Sequence, residues 1–144
     1  MTTDEMSVEI FDKQNIIKLN IKKVLKYIPL LEKKLYLLKN LVYNIIFVDD
    51  REIKKLNKKF RYSPYPTDVL SFKYSKNSAD IFISVETAKN NAKFYRQDFY
   101  TEILRLIIHG VLHSLGYMDY TEKSKKIMWK KQEEILKIIR DNSG

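Results

Sequence analysis

The stretch TEILRLIIHGVLHSL, residues 101 to 115, constrains this chain more than any other. Ile103, Leu104, Ile107, Ile108, Val111, Leu112 and Leu115 recur at helical spacing and cover most of the circumference. The pattern predicts a helix buried on nearly every side. Such a helix cannot lie on a surface, so the other elements must wrap around it. In 144 residues that leaves room for one compact core, and a single domain spanning 1–144 is expected. Gly116 stands where a left-handed residue would end the helix.

The flanking segments supply the wrapping. SVEIFD near the start alternates polar and apolar residues, and YNIIFVDD at 43–50 is a β-branched and aromatic run; both read as strands. Between them, residues 15–39 place Ile17, Leu25, Ile28, Leu31, Leu35 and Leu38 at mostly helical spacing, with Pro29 marking a kink or a break. Asp50 is the expected cap of a short helix, REIKKLNKKF, with Ile53, Leu56 and Phe60 on its apolar side. The prolines of RYSPYPTD exclude helix there, and Asp68 closes the turn. VLSFKY and ADIFISV, joined by SKNS, predict an antiparallel pair. Ser84 is the expected cap of a helix through VETAKNNAKFY. A last amphipathic helix is expected from about 121 to 140, with Trp129 as a packing anchor. The order predicts an α+β fold: a small mixed sheet of about four strands against several helices, with the apolar helix at the centre.

That helix carries both histidines of the chain, His109 and His113. At i and i+4 they project from one face, so two imidazole nitrogens can meet one metal at the ~2.0 to 2.1 Å usual for zinc. Spacing alone fits a packed pair equally well. An unpartnered ring in so apolar a helix would cost roughly 1 to 3 kcal/mol, so both rings need partners. Gly110, disfavoured within a helix, implies the close approach of a substrate or of a packed element. It also stands where HExxH proteases keep their glutamate base, which argues against a peptidase. The chain has no cysteine, so any metal is held by nitrogen and oxygen. A formal charge of +9 is compatible with nucleic-acid binding, although lysine-rich composition is weak evidence by itself. The N-terminus lacks a basic region leading into an apolar one, and no apolar run is long enough for a bilayer. A soluble, cytoplasmic protein with no membrane partner is expected.

HGVLHSLGYMD resembles the HGxLHLxGYDH signature of the YbeY-type endoribonucleases, bacterial rRNA maturation factors. Upstream, PTDVLSF at 66–72 is similar to that family's strand-entering motif, LNKKFR at 56–61 to its short helix ending in arginine, and ADIFIS at 79–84 to its GDIxIS strand. The ordered set covers most of residues 43–120. Asp119 stands where the family has its third histidine, and Met118 where it usually has aspartate. A carboxylate is an ordinary zinc ligand, so the resemblance implies one Zn2+ per chain on His109, His113 and Asp119, with a fourth position open.

The resemblance further implies a metal-dependent, single-strand-specific endoribonuclease acting in rRNA processing, at the 16S 3′ end, and in ribosome biogenesis and quality control. Its partners would be RNA, as rRNA in the 30S or 70S ribosome, with ribosomal proteins or a GTPase in addition. Arg61 and His113 are the implied catalytic residues. Arg61 offers a planar fork to phosphate oxygens and cannot lose its charge. Arg61 and Lys59, with Thr67, Asp68 and Ser71, are the expected substrate side; the last three shape the loop and strand by side-chain to backbone hydrogen bonds. Lys54, Lys55 and Lys58 would add a basic rim. Tyr62, Tyr65, Tyr74 and Tyr117 are candidates for packing or for stacking on unpaired bases. The nucleophile is water or the ribose 2′-hydroxyl. Two other classes stay open: a ribosome-assembly RNA-binding factor with a structural metal, and another metal-dependent hydrolase or oxygenase, since two histidines and a carboxylate also bind iron(II).

Overall fold

Strand formation follows the alternation seen in the sequence. In a computed structural model that describes residues 7–34, 42–61, 67–75 and 77–142, four strands form one sheet: β1 (Ser7–Asp12), β2 (Val42–Val48), β3 (Val69–Ser75) and β4 (Ser78–Ser84). The side chains of Ser7, Arg61 and Tyr74 lie outside the description, as do the expected helical residues Leu35 and Leu38 and the loop tyrosines Tyr62 and Tyr65. The sheet order is β1-β2-β4-β3. β1 runs parallel to β2 and β2 parallel to β4, whereas β3 and β4 form the expected antiparallel pair. Tyr43, Ile45 and Phe47 of β2, with Ala79, Ile81 and Ile83 of β4, point into the main core; Ile46, Val48 and Phe82 point the other way. These inner strands are therefore apolar on both faces, as strands covered from both sides must be.

Among the described residues, five helices cover the sheet. They are α1 (Ile21–Lys34), α2 (Asp50–Arg61), α3 (Val85–Phe94), α4 (Phe99–Ser114) and α5 (Glu122–Asn142). The expected central helix is α4, and Ile103, Leu104, Ile107, Ile108, Val111 and Leu112 in it are fully buried. It packs on β3 and β4 and is flanked by α1, α3 and α5. Buried apolar residues of this kind contribute roughly 1.5 to 3 kcal/mol each. α2 packs against β3 and β4 through Ile53 and Leu56, which join Val48, Leu70 and Phe72 in a second, smaller cluster on the opposite face. No helix among the described residues is long and apolar enough to cross a membrane.

Several local expectations shift. The first helix begins at Ile21 rather than near residue 15, because the Gln14 amide holds the preceding loop: its Oε1 accepts from the backbone of Ile16 and Ile17, and its Nε2 donates to Ile17 O and to Asp12. Pro29 lies inside α1, which runs through it, and Leu25 faces solvent. Asp49, not Asp50, caps α2 by accepting from the Glu52 N–H at 2.8 Å. Asp50 instead accepts from the Ser84 and Thr87 hydroxyls, joining α2 to the start of α3. Ser84 does cap α3, accepting from Thr87 N–H. Asp98 caps α4, which begins at Phe99, two residues before the expected start. Phe60, expected on the buried side of α2, is half exposed and meets Phe72 edge-on at 5.1 Å.

The helix end and the mid-helix glycine explain how α4 is seated. Gly116 has φ +101°, and its N–H and that of Tyr117 return to His113 O and Leu112 O, closing the helix in a Schellman turn. Ser114 is buried and bridges Tyr43 on β2 to Val111 O, a tie that its place in the sequence did not reveal. At Gly110 a Cβ would lie 2.6 Å from Ile81 Cγ2, inside any ordinary contact. A packed strand, not a substrate, is what approaches here. Gly110→Ala should therefore cost about 1 to 3 kcal/mol by overpacking, partly offset by about 1 kcal/mol of helix propensity. Urea denaturation of a double-mutant cycle with Ile81→Ala should show the pair costing less than the sum of the singles; strictly additive costs would mean the two positions do not meet.

Candidate metal centre

Seating α4 on β4 through Gly110 presents the residue before it, His109, at the border with α5. His109 and His113 lie one turn apart on that border, ring centroids 4.7 Å apart and planes at 78°. Gly116 then reverses the chain, and Asp119 comes back so that its Oδ2 lies 3.6 Å from His113 Nε2. One donor atom from each of His109, His113 and Asp119 falls within 4.8 Å of the others. Donors of a tetrahedral zinc are separated by roughly 3.3 Å, a figure that follows from bonds of about 2.0 Å. The cluster needs only small side-chain rotations to close, and two neutral imidazoles with one carboxylate form a common zinc donor set. The residues present fit such an ion. All three are partly exposed, so the ion's open face would be reachable.

One of the two rings is held by a residue that sequence reading did not single out. Gln132, on α5 and 2% exposed, places Oε1 2.8 Å from His109 Nδ1. Its amide nitrogen donates to Glu133 Oε2, so the oxygen is the atom turned to the ring. His109 Nδ1 must then carry the proton, and Nε2 carries the lone pair a metal needs. The arrangement continues inward. Glu133 takes both Nε and Nη2 of Arg105, at 2.9 and 3.0 Å, and Arg105 also donates to Glu102. Burial works against charge on Arg105, but the hydrogen bonds to Glu133 and Glu102 outweigh it and raise its pKa. Burial pushes the Glu102 carboxyl up, opposed by Arg105. Asn91 then links Glu102 to Asp68, completing a chain of contacts from the loop before β3 to His109.

The other expected site residues are distributed unevenly around this centre. Ser71 donates to Gly110 O at 3.1 Å, bracing α4 beside His109. Asp68 accepts from Asn91, its backbone oxygen accepts from Ser84 N–H, and Thr67 leans on it at 3.5 Å. Lys59 sits exposed on α2, near the Phe60 ring, as do Lys54, Lys55 and Lys58. Arg61 is the last residue of α2. Tyr117 is partly buried against the core, the packing role expected of it. Beside His109 and Asp119 opens a groove of about 440 Å3, lined from α5 by Lys125, Lys126, Met128, Trp129 and Gln132. Trp129, expected to anchor packing, is instead 54% exposed. The i, i+3 and i+4 spacing of these α5 residues was visible in the sequence, but it pointed to a site only once α5 was known to lie beside α4.

Residues 2–140 match the family described as Endoribonuclease YbeY. A protein of that name from Malacoplasma penetrans is 34% identical over 143 residues, covering 91% of this chain and 93% of the relative. Another from Acholeplasma laidlawii is 44% identical over 96 residues, covering 64% and 70%. The solution structure of a Thermotoga maritima protein superposes with a TM-score of 0.66 at 26% identity, covering 96% of this chain and 94% of that one. The mixed sheet, the buried HxxxH helix and the carboxylate returned by a glycine turn define a one-domain α+β protein with a candidate three-donor metal site. The chain belongs to the endoribonuclease YbeY family.

The grip of Gln132 on His109 can be measured without turnover. Gln132→Met keeps the volume but removes the acceptor, and should weaken metal affinity about ten- to a hundredfold in competition with a chromophoric chelator. Gln132→Glu, which still accepts, should stay near wild type. Equal affinities in all three proteins would reduce Gln132 to packing.

Proposed function

We infer that this chain is a zinc-dependent endoribonuclease that cuts single-stranded RNA during rRNA maturation in the cytoplasm. Its family makes it an endoribonuclease. Metal dependence is supported chiefly by one observation, the convergence of His109, His113 and Asp119 on a point that borders an open groove. A zinc ion there would supply positive charge for a phosphoryl oxygen and a lowered pKa for an attacking water. The chain's own residues do the remainder. His109, fixed by Gln132, and His113 present ring nitrogens; Asp119 supplies a carboxylate where the HGxLHLxGYDH signature it resembles has a third histidine. Asp119 also leaves the centre one unit less positive than three histidines would.

Arg61 is assigned to the phosphate, whose developing charge a guanidinium can hold through two parallel hydrogen bonds. His113 takes part in catalysis through the same cluster. Lys59 adds charge on the substrate side. Thr67, Asp68 and Ser71 shape the strand beside the cleft, a role in keeping with the bonds of Asp68 to Asn91 and of Ser71 to Gly110. The formal charge of +9 favours a polyanionic substrate. The rRNA of the small subunit, at its 16S 3′ end, is the substrate we assign, with ribosomal proteins or a GTPase delivering the enzyme to the ribosome.

Elemental analysis of protein purified without chelator should find about one zinc per chain, lost or much reduced in Asp119→Ala. Chelation should abolish cleavage of a single-stranded RNA while circular dichroism stays native. Arg61→Ala should keep its metal and lose about 10²- to 10³-fold in kcat, with Arg61→Lys recovering only part. Zinc-free wild type that still binds rRNA would instead make the chain an assembly factor.

A further inference from the structure

We propose that Trp129 is the floor of a nucleobase subsite, on which an unpaired base of single-stranded RNA stacks next to the metal centre. The subsite rests on the endoribonuclease reading of the His109, His113 and Asp119 cluster and adds to it what holds the strand there. Trp129 lines the same groove as His109 and Asp119, one helical turn before Gln132, which grips His109. Three residues along a helix is about 4.5 Å, so the indole lies close to the ligand that Gln132 fixes.

An indole 54% exposed on a helix that packs into a core leaves much apolar surface in water. The ring is nonetheless not loose. The Arg105 guanidinium lies 5.9 Å from its centroid, and Arg105 is itself clamped by Glu133 and Glu102. One face of the indole is backed by an immobilised cation, while the ring borders an open groove. This is the layout of a stacking platform, since every base offers a π-face and aromatic stacking tolerates any sequence.

The rim suits the rest of a nucleotide. Lys125 and Lys126 stand one turn before Trp129 and border the groove, where they can neutralise phosphates flanking the stacked base. Of the carboxylates around it, Glu133 is hydrogen-bonded to Arg105 and Asp119 lies in the donor cluster, and Lys125 and Lys126 offset the negative charge these leave at the groove. A groove of about 440 Å3 has room for one base and its sugar. A duplex hides its base faces, so the same platform would favour single strands.

Trp129 is the only tryptophan in the chain, so its fluorescence reports the subsite directly. The full chain, held inactive with chelator, would be titrated with a short single-stranded oligoadenylate, with an RNA duplex and with ribose 5-phosphate. Saturable quenching is expected with the oligoadenylate alone. In the metal-loaded enzyme, Trp129→Ala should raise KM for single-stranded RNA about tenfold with kcat and melting temperature little changed, and Trp129→Phe should recover most of the loss. No quenching, equal quenching by ribose 5-phosphate or duplex, or an unchanged KM in Trp129→Ala would overturn the subsite, even in an enzyme that cleaves RNA. Quenching by oligoadenylate in a protein that cleaves no RNA would uphold the subsite and sink the nuclease reading.

Discussion

The contact between Gly110 of α4 and Ile81 of β4 is the constraint on which the rest of the structure depends. A helix that is apolar nearly all round must be buried, and burying it flat against a sheet requires one place where its backbone can touch the strand. Gly110 is that place, since even a single methyl group would collide with Ile81. Ser71 then ties the carbonyl of Gly110 to β3. With depth and rotation of α4 set at this point, His109 on one side of the glycine and His113 one turn later are directed away from the sheet, toward α5 and the returning loop. The convergence of His109, His113 and Asp119 is thus a consequence of how tightly the helix is packed.

A second constraint runs across α4. Glu102, Arg105 and Glu133 form an ion group of low exposure that binds α4 to α5. Such groups add little net stability over apolar residues of the same size, because removing both charges from water offsets their attraction. Their consequence here is geometric. With Arg105 held from both helices, Glu133 is held, the Gln132 amide has one favoured orientation, and the His109 ring presents one nitrogen. The same guanidinium backs Trp129, so one residue supports both His109, through Glu133 and Gln132, and the exposed indole. Coupling of this sort places the histidine and the exposed ring on opposite ends of the same rigid support.

The path of the chain after α4 completes the site. A Schellman turn at Gly116 lets Asp119 return beside His113 within a few residues, without a long loop whose ordering would carry an entropic cost. α5 then begins at Glu122 and lays Lys125, Lys126 and Trp129 along the groove while Met128, Ile135, Leu136 and Ile139 enter the core. One helix therefore serves both as a wall of the site and as a flank of the core, which is why its amphipathic pattern is irregular.

What the residues by themselves determined is local and periodic. The buried helix over 101–115, its left-handed stop at Gly116, the paired strands on either side of SKNS, the Ser84 cap and the candidate donor set His109, His113 and Asp119 all follow from spacing, side-chain chemistry or an ordered set of short motifs. Boundaries set by single hydrogen bonds were less legible: Gln14 delays the first helix, and Asp49 rather than Asp50 caps the second, because neighbouring carboxylates and amides compete for the same backbone groups. Only the tertiary structure decided that Gly110 serves a strand rather than a substrate, that Trp129 faces the groove rather than the core, and that Gln132 holds His109. Each of these depends on which element lies opposite, and helical periodicity specifies the faces of a helix without specifying its neighbours.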